Sequence, residues 1–291
     1  SWHAKMKAPT CITPIGLLHD AQGRRINLRD HALHPVHEIH APLPTAIAVV
    51  GTSMDAGKTE SCAFLVRGMI AAGLRVGYAK VTGTGAGGDT WLLRDAGACP
   101  VLDFTDAGMA TTHLATPSEI EGVLTTLMAH LAEDGVDAMV LEIADGVLQE
   151  ETAALLRSPV FGALVSGIVM AAQDSMGAAA GVHWLRTHAR PPVLALSGVI
   201  SAAPLQVREA SLALGLPVHD RPGLADAENA LQILTGAHQH LESNRDPRVA
   251  AMENANGEGS KHIEGSRPGT LPLVVAARES HPALAANRPR P

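Results

Sequence analysis

The chain has 291 residues, of which 46% are hydrophobic and 18% charged, enough for a sizeable core and too apolar for wholesale disorder. Three Phe, three Trp and one Tyr are too few for the aromatic platforms that bind single-stranded nucleic acid. The net charge is −7, and residues 45–236 hold 10 Lys and Arg against 20 Asp and Glu, a balance without an electrostatic footprint for DNA or RNA.

Residues 1–44 read as an N-terminal extension rich in Pro and His, with a hairpin around Ala21-Gln22-Gly23. Lys5 and Lys7 precede a weak apolar run that prolines break, and no small-residue cleavage site follows, so no signal peptide is expected. His31, His34, His37 and His40 recur every three residues, but Pro35 interrupts them. They are read as a solvated segment rather than a metal site.

An α/β domain is expected over 45–236. Ala46–Gly51 is an apolar run ending in glycine, read as a buried strand. Apolar spacing predicts a helix over Lys58–Gly73, and Arg75–Val81 reads as a second strand. Thr116, Pro117 and Glu119 open a helix through Ala132. Ala138–Ile143 is a strand with one carboxylate near its end. Ser158 to Gln173 is apolar but too short to span a bilayer, so no membrane partner is expected. Gly167–Ala171 reads as a strand, Ala178–Thr187 as a helix, and Pro192–Leu196 as a strand. A helix over 205–214 and a last strand at Leu216–His219 close the series. Such alternation predicts a mostly parallel sheet with helices on both faces. The tail, 237–291, is read as partly disordered, with one apolar run at Leu271–Ala277. Cys11, Cys62 and Cys99 have no paired spacing, which suits a reducing compartment, the cytoplasm.

The segment Gly51-Thr-Ser-Met-Asp-Ala-Gly57-Lys58-Thr59 lies between strand and helix, where loop N–H groups and a helix N-terminus face one anion. Lys58 can reach phosphates, and the Thr59 hydroxyl can bind Mg²⁺. Gly51 stands six positions before Gly57, one more than the strict spacing, with Thr52 where that glycine is expected. The chain has 17 Arg and 5 Lys, and between residues 8 and 260 only Lys58 and Lys80 are lysines. Lys80 ends the second strand, on the same sheet edge as the loop. Glu142, ending an apolar strand, is costly unless it faces the ligand crevice, and Asp89 after TGTGAGG reads either as a metal carboxylate or as a helix N-cap. Asp55 sits inside the phosphate loop. His113 is a further candidate for the cleft wall.

The motif GTSMDAGKT resembles the phosphate loop of dethiobiotin synthetase and its relatives, which include the synthetase domains of cobyrinic acid amidation. Lys80-Val81-Thr82-Gly83-Thr84-Gly85 is similar to that family's second lysine motif without its proline. Glu142-Ile-Ala-Asp145-Gly146 is similar to its E-G-x-G-G with two glycines lost. The resemblance covers about residues 45–220. It implies nucleotide held by Gly51, Thr52, Asp55, Ala56, Gly57, Lys58 and Thr59, with Ser197 near the base. It implies Mg²⁺ at Thr59, Asp89 and Glu142, substrate at Lys80, Thr84, Gly85 and Asp145, and a homodimer. The expected activity is ATP-dependent activation of a small carboxylate or carbamate by phosphorylation, with GTP open as the nucleotide and Lys58 and Lys80 catalytic. A nucleotide-driven switch or delivery protein is the alternative, although Ser53 replaces the extra loop lysine of partition-type ATPases. A small-metabolite kinase using Asp145 as base is another.

Overall fold

The computed structural model of the chain describes residues 11, 13–39 and 43–244, with side chains through residue 239. His40, the Leu271–Ala277 run and the tail beyond 244 lie outside those residues.

Six strands form one sheet: β1 (Thr45–Gly51), β2 (Val76–Lys80), β3 (Val101–Asp103), β4 (Ala138–Glu142), β5 (Gly167–Ala171) and β6 (Val193–Ser197). Their order is β3-β2-β4-β1-β5-β6, and every pairing is parallel. β1, β2, β4 and β5 read as near-continuous apolar runs because both of their faces are covered. Along β1, Ala46, Ala48 and Val50 enter one core while Ile47 and Val49 enter the other. This is the two-residue alternation of a strand serving two layers.

The connecting helices are α1 (Lys58–Ala71), α2 (Gly87–Asp95), α3 (Pro117–Glu133), α4 (Glu150–Arg157), α5 (Pro159–Leu164), α6 (Ser175–His188), α7 (Pro204–Leu214), α8 (Arg221–Ala225) and α9 (Ala227–Asn244). α3 starts on a capping box of Thr116 and Glu119 with Pro117 in its first turn, and its Leu124, Leu127 and Leu131 are fully buried. On the other face, Leu65, Val66 and Met69 of α1 fill the core with Leu224 of α8 and Ile233 of α9.

Some elements differ from the sequence expectation. The segment Leu216–His219 makes a single bridge, Leu196 with Val218, since Pro217 has no N–H and serves only through its carbonyl. The apolar stretch from Ser158 holds α5 before β5. α2 already begins at Gly87, so Asp89 lies in its first turn instead of capping it, and the N-cap Ala86 gives no side-chain bond. α9 runs past residue 236 to Asn244.

The N-terminal segment is tied to the body. His19 bridges Arg25 across the turn at Ala21–Gly23. Leu33, Ile39 and Leu43 pack on the core, the Leu33 N–H donates to Asp106 O at 2.8 Å, and the Val36 N–H donates to Thr126 Oγ1 at 3.1 Å.

Leu127 is buried at the centre of α3 with 0% exposure. Leu127→Ala should lower unfolding stability by about 3 kcal/mol, read by urea titration. A loss below about 1 kcal/mol would mean that α3 is not fixed on the sheet.

Candidate functional site

β1 ends at Gly51 and α1 begins at Lys58, so residues 52–57 turn at the carboxyl edge of the sheet. Gly57 has φ +95°, and Asp55, at φ +59°, stands at the exposed tip. A Cβ on Gly51 would lie 2.9 Å from Lys58 Cγ and Cδ. The lysine stem therefore folds back over this glycine. Lys58 Nζ donates to Ser53 O at 2.9 Å. The Thr52 N–H donates to Ala171 O, while its buried hydroxyl oxygen has no hydrogen-bond partner among the described residues.

Two further glycines hold the loop. A Cβ on Gly198, at φ +91°, would meet Ala56 O at 2.1 Å, and one on Gly146 would meet Thr52 O at 2.8 Å. The one glycine retained after Glu142 is thus required by backbone packing against the loop.

Glu142 is the centre of the site. It is 2% exposed, and β4 places it beside Val49 of β1 and Lys80 of β2 in register. Its Oε1 accepts from Thr59 Oγ1 at 3.1 Å, and its Oε2 accepts from Tyr78 OH at 2.7 Å. Lys80 Nζ stands 4.0 Å from Oε1 and forms an ion pair with Asp89. Burial pushes the Glu142 carboxyl above its usual range, against the opposing pull of Lys80 and the Tyr78 hydroxyl. Burial also lowers Lys58, with Glu142 and Asp145 opposing. At Lys80 burial acts downward too, but Glu142 and Asp89 outweigh it and the ammonium ends above its ordinary value.

A cleft of about 460 Å³ is lined by Asp55, Gly57, Lys58, Thr59, Lys80, Thr84, Asp89, Glu142 and Asp145. Nine of the expected site residues therefore converge. Ser197 does not join them. Its hydroxyl donates to His219 O, and it lines a separate pocket of about 470 Å³ that shares Gly57, Glu60 and Val199 with the cleft. Gly85 packs beside the Phe104 ring. Gly51, Thr52 and Ala56 shape the loop backbone.

On its other side the cleft adjoins a polar pocket of about 220 Å³, lined by Gly83, Thr84, Thr111, Thr112, His113, Ala144, Asp145 and Gln149. Thr84, Ala144 and Asp145 belong to both. Thr111, Thr112 and Gln149 escaped the sequence reading because they sit on loops with no motif. Tyr78 also escaped it, although it is the chain's one tyrosine and lies two residues before Lys80, on the same strand face.

Thr59 Oγ1 and Glu142 Oε1, both oxygen donors in one cleft, fit Mg²⁺, which takes few protein ligands and completes its shell with phosphate and water. Asp89, engaged by Lys80, fits a role through water or as the lysine's counter-charge. No group of three or more His, Cys, Asp or Glu side chains forms a metal cage among the described residues.

Strand, glycine loop, Lys-Thr helix start and buried strand-end carboxylate occur together here. This is a P-loop nucleotide-binding fold.

No family model and no curated protein matches the chain. Among solved structures it is similar to the signal recognition particle receptor FtsY of Elizabethkingia anophelis in complex with GDP, at 16% identity and TM-score 0.44, covering 72% of this chain and 67% of that one. It is similar to a DUF1611 family protein of Anabaena variabilis, at 14% identity and TM-score 0.45, covering 78% and 62%. It is also similar to a ParA family ATPase of Chlorobium tepidum, at 10% identity and TM-score 0.40, covering 69% and 99%. Likenesses this distant carry nothing about substrate.

Gly198→Ala places a methyl against Ala56 O and should weaken Mg-nucleotide binding at least about tenfold, on the order of 1.4 kcal/mol, in a fluorescent-nucleotide titration. Unchanged affinity would mean that the loop does not depend on this packing. Tyr78→Phe strips a donor from buried Glu142 and should lower unfolding stability by about 1–2 kcal/mol; an unaltered urea midpoint would contradict that role.

Proposed function

We propose that the protein is a Mg-nucleotide-dependent ligase that phosphorylates a small-molecule carboxylate or carbamate and passes the activated group to a nucleophile. The observation that carries the reading is the join of the two pockets through Thr84, Ala144 and Asp145, with Lys80 on the cleft side. An adjoining polar subsite would hold a small acid beside the phosphoryl group being transferred.

Bound Mg-nucleotide would supply the transferable phosphoryl group and neutralise its charge. Lys58 would leave Ser53 O to hold the phosphates. Thr59 and Glu142 would hold the metal, and Asp55 would lie at the loop tip toward the nucleotide. Lys80 would balance the acid being activated, its ammonium kept charged by Glu142 and Asp89. Thr84 and Asp145 would orient the substrate at the join. ATP is the proposed nucleotide, with GTP as the competitor for the base pocket near Ser197. The proposed catalytic body is residues 45–236, with Leu33, Ile39 and Leu43 of the preceding segment packed on its core.

A homodimer is proposed on the nucleotide side. Met54, Trp91, Leu114, Leu148, Met176 and Val199 are exposed apolar side chains in the segments that follow β1 to β6. Trp184 is taken up by its own fold, stacked on His188 and covered by Arg157. The three cysteines are free and no described helix is long and apolar enough to cross a membrane, features that suit the cytoplasm. The same apolar rim favours the second reading, a nucleotide-driven switch, because a protein partner could dock there. Turnover stimulated by a small acid supports the ligase, and turnover stimulated only by a protein supports the switch.

Lys58→Ala should abolish nucleotide turnover. Lys80→Arg should leave nucleotide affinity within about threefold yet lower acid-dependent turnover at least about 100-fold, near 2.7 kcal/mol. Full acid-dependent turnover in the arginine variant would remove Lys80 from the chemistry. Light scattering should give the mass of two chains with Mg-nucleotide present, and a single-chain mass would dismiss the dimer.

A further inference from the structure

The small polar pocket has a wall that the phosphate chemistry does not use. His113 lines it, with Nδ1 3.6 Å from Glu151 Oε1. Glu151 is 8% exposed at the start of α4, while the His113 side chain is 75% exposed. The carboxylate is thus fixed and the imidazole open to solvent.

The surrounding backbone is arranged around that carboxylate. Leu114, next to His113, has φ +61°, a conformation that non-glycine residues avoid and that clusters at functional sites. Its side chain is 78% exposed, so packing does not reward it. Its N–H donates to Glu151 Oε1, and Gln149 Nε2 donates to Oε2. Burial acts to raise the Glu151 carboxyl, but these bonds and His113 together leave it below its ordinary value. Thr112 Oγ1 accepts from the Gly83 N–H at 2.9 Å, which ties the His113 loop to the loop carrying Thr84.

We propose that His113, oriented by Glu151, is the proton acceptor for a primary amine bound in this pocket. The inference rests on the ligase reading. At 3.6 Å the Glu151 carboxylate is within ion-pair reach of Nδ1 and beyond a hydrogen bond; its charge favours a proton on that nitrogen, which leaves Nε2 as the base. Asp145, from the segment after β4, lines the pocket with His113, Glu151 of α4 stands beside the imidazole outside the lining, and no lysine or arginine lines the pocket. One lining carboxylate, a second behind the imidazole and no lining cation select an ammonium over a second anion. After the ammonium loses its first proton to solvent, the nitrogen lone pair bonds to the activated carbonyl carbon. The bond from that carbon to the phosphate oxygen breaks, phosphate leaves with the electron pair, and Nε2 takes the remaining surplus N–H proton. The opening to water then lets the imidazolium discharge.

The test uses the full chain labelled with ¹⁵N-histidine, with Mg²⁺ and a non-hydrolysable ATP analogue. His113 is identified by its loss in His113→Gln, and nucleotide binding is measured on the same wild-type sample. The expected result is an Nδ1–H tautomer whose resonance moves with methylamine or ethanolamine and not with acetate. Glu151→Gln should cut the amine response about tenfold and raise the share of the other tautomer. An Nε2–H tautomer in the wild type would overturn the proposal, as would acetate matching the amines, or nucleotide bound with no amine response. A sample that binds no nucleotide removes the ligase reading and this inference with it, an outcome distinct from the other three.

Discussion

A carboxylate buried at the end of a strand between two other strands is the constraint around which this molecule is built. Removing an ionised group from water costs several kcal/mol unless partners replace the solvent. Glu142 has three elements to supply them: Thr59 from α1, Tyr78 and Lys80 from β2, and the crevice at the carboxyl edge of the sheet. The parallel register of β2 with β4 and of β4 with β1 brings those groups to the carboxylate. Fold and site therefore share one geometry. Slipping β4 by one residue would turn Glu142 to the opposite face of the sheet.

The second constraint is backbone proximity. Gly146 and Gly198 approach the loop from beyond the ends of β4 and β6, on opposite sides of β1, and Gly51 leaves space for the stem of Lys58. Side chains at those points would push the loop outward, away from the groups that meet a phosphate. The loop is thus held by absent methyl groups as much as by hydrogen bonds, with Thr52 N–H on Ala171 O and Val199 N–H on Ala56 O closing the frame.

Much of this was legible in the sequence because it is written in local patterns. β1, β5, α3 and α7 follow from apolar runs, a capping box and a proline at a helix start. Lys58, Thr59, Lys80 and Glu142 stand out because a rare lysine or a lone carboxylate at a strand end has few inexpensive explanations. What escaped is tertiary. The Lys80–Asp89 pair could not be separated from an N-cap at Asp89 by spacing alone. Ser197 sits near the right strand end, but its hydroxyl is spent on His219 O. The second pocket draws on residues 83–84, 111–113 and 144–149, segments brought together only by folding. α9 was hidden by a polar, histidine-containing surface that blurs its apolar stripe.

The central claim is that the charges around Glu142 are a resting arrangement for a Mg-nucleotide. A crystal structure with Mg²⁺ and a non-hydrolysable ATP analogue tests it most directly. The account predicts Thr59 Oγ1 turned from Glu142 to the metal, Lys58 Nζ moved from Ser53 O to phosphate, and Lys80 Nζ drawn from Asp89 toward the terminal phosphate. Nucleotide bound with Thr59 still on Glu142 and Lys80 still on Asp89 would contradict it.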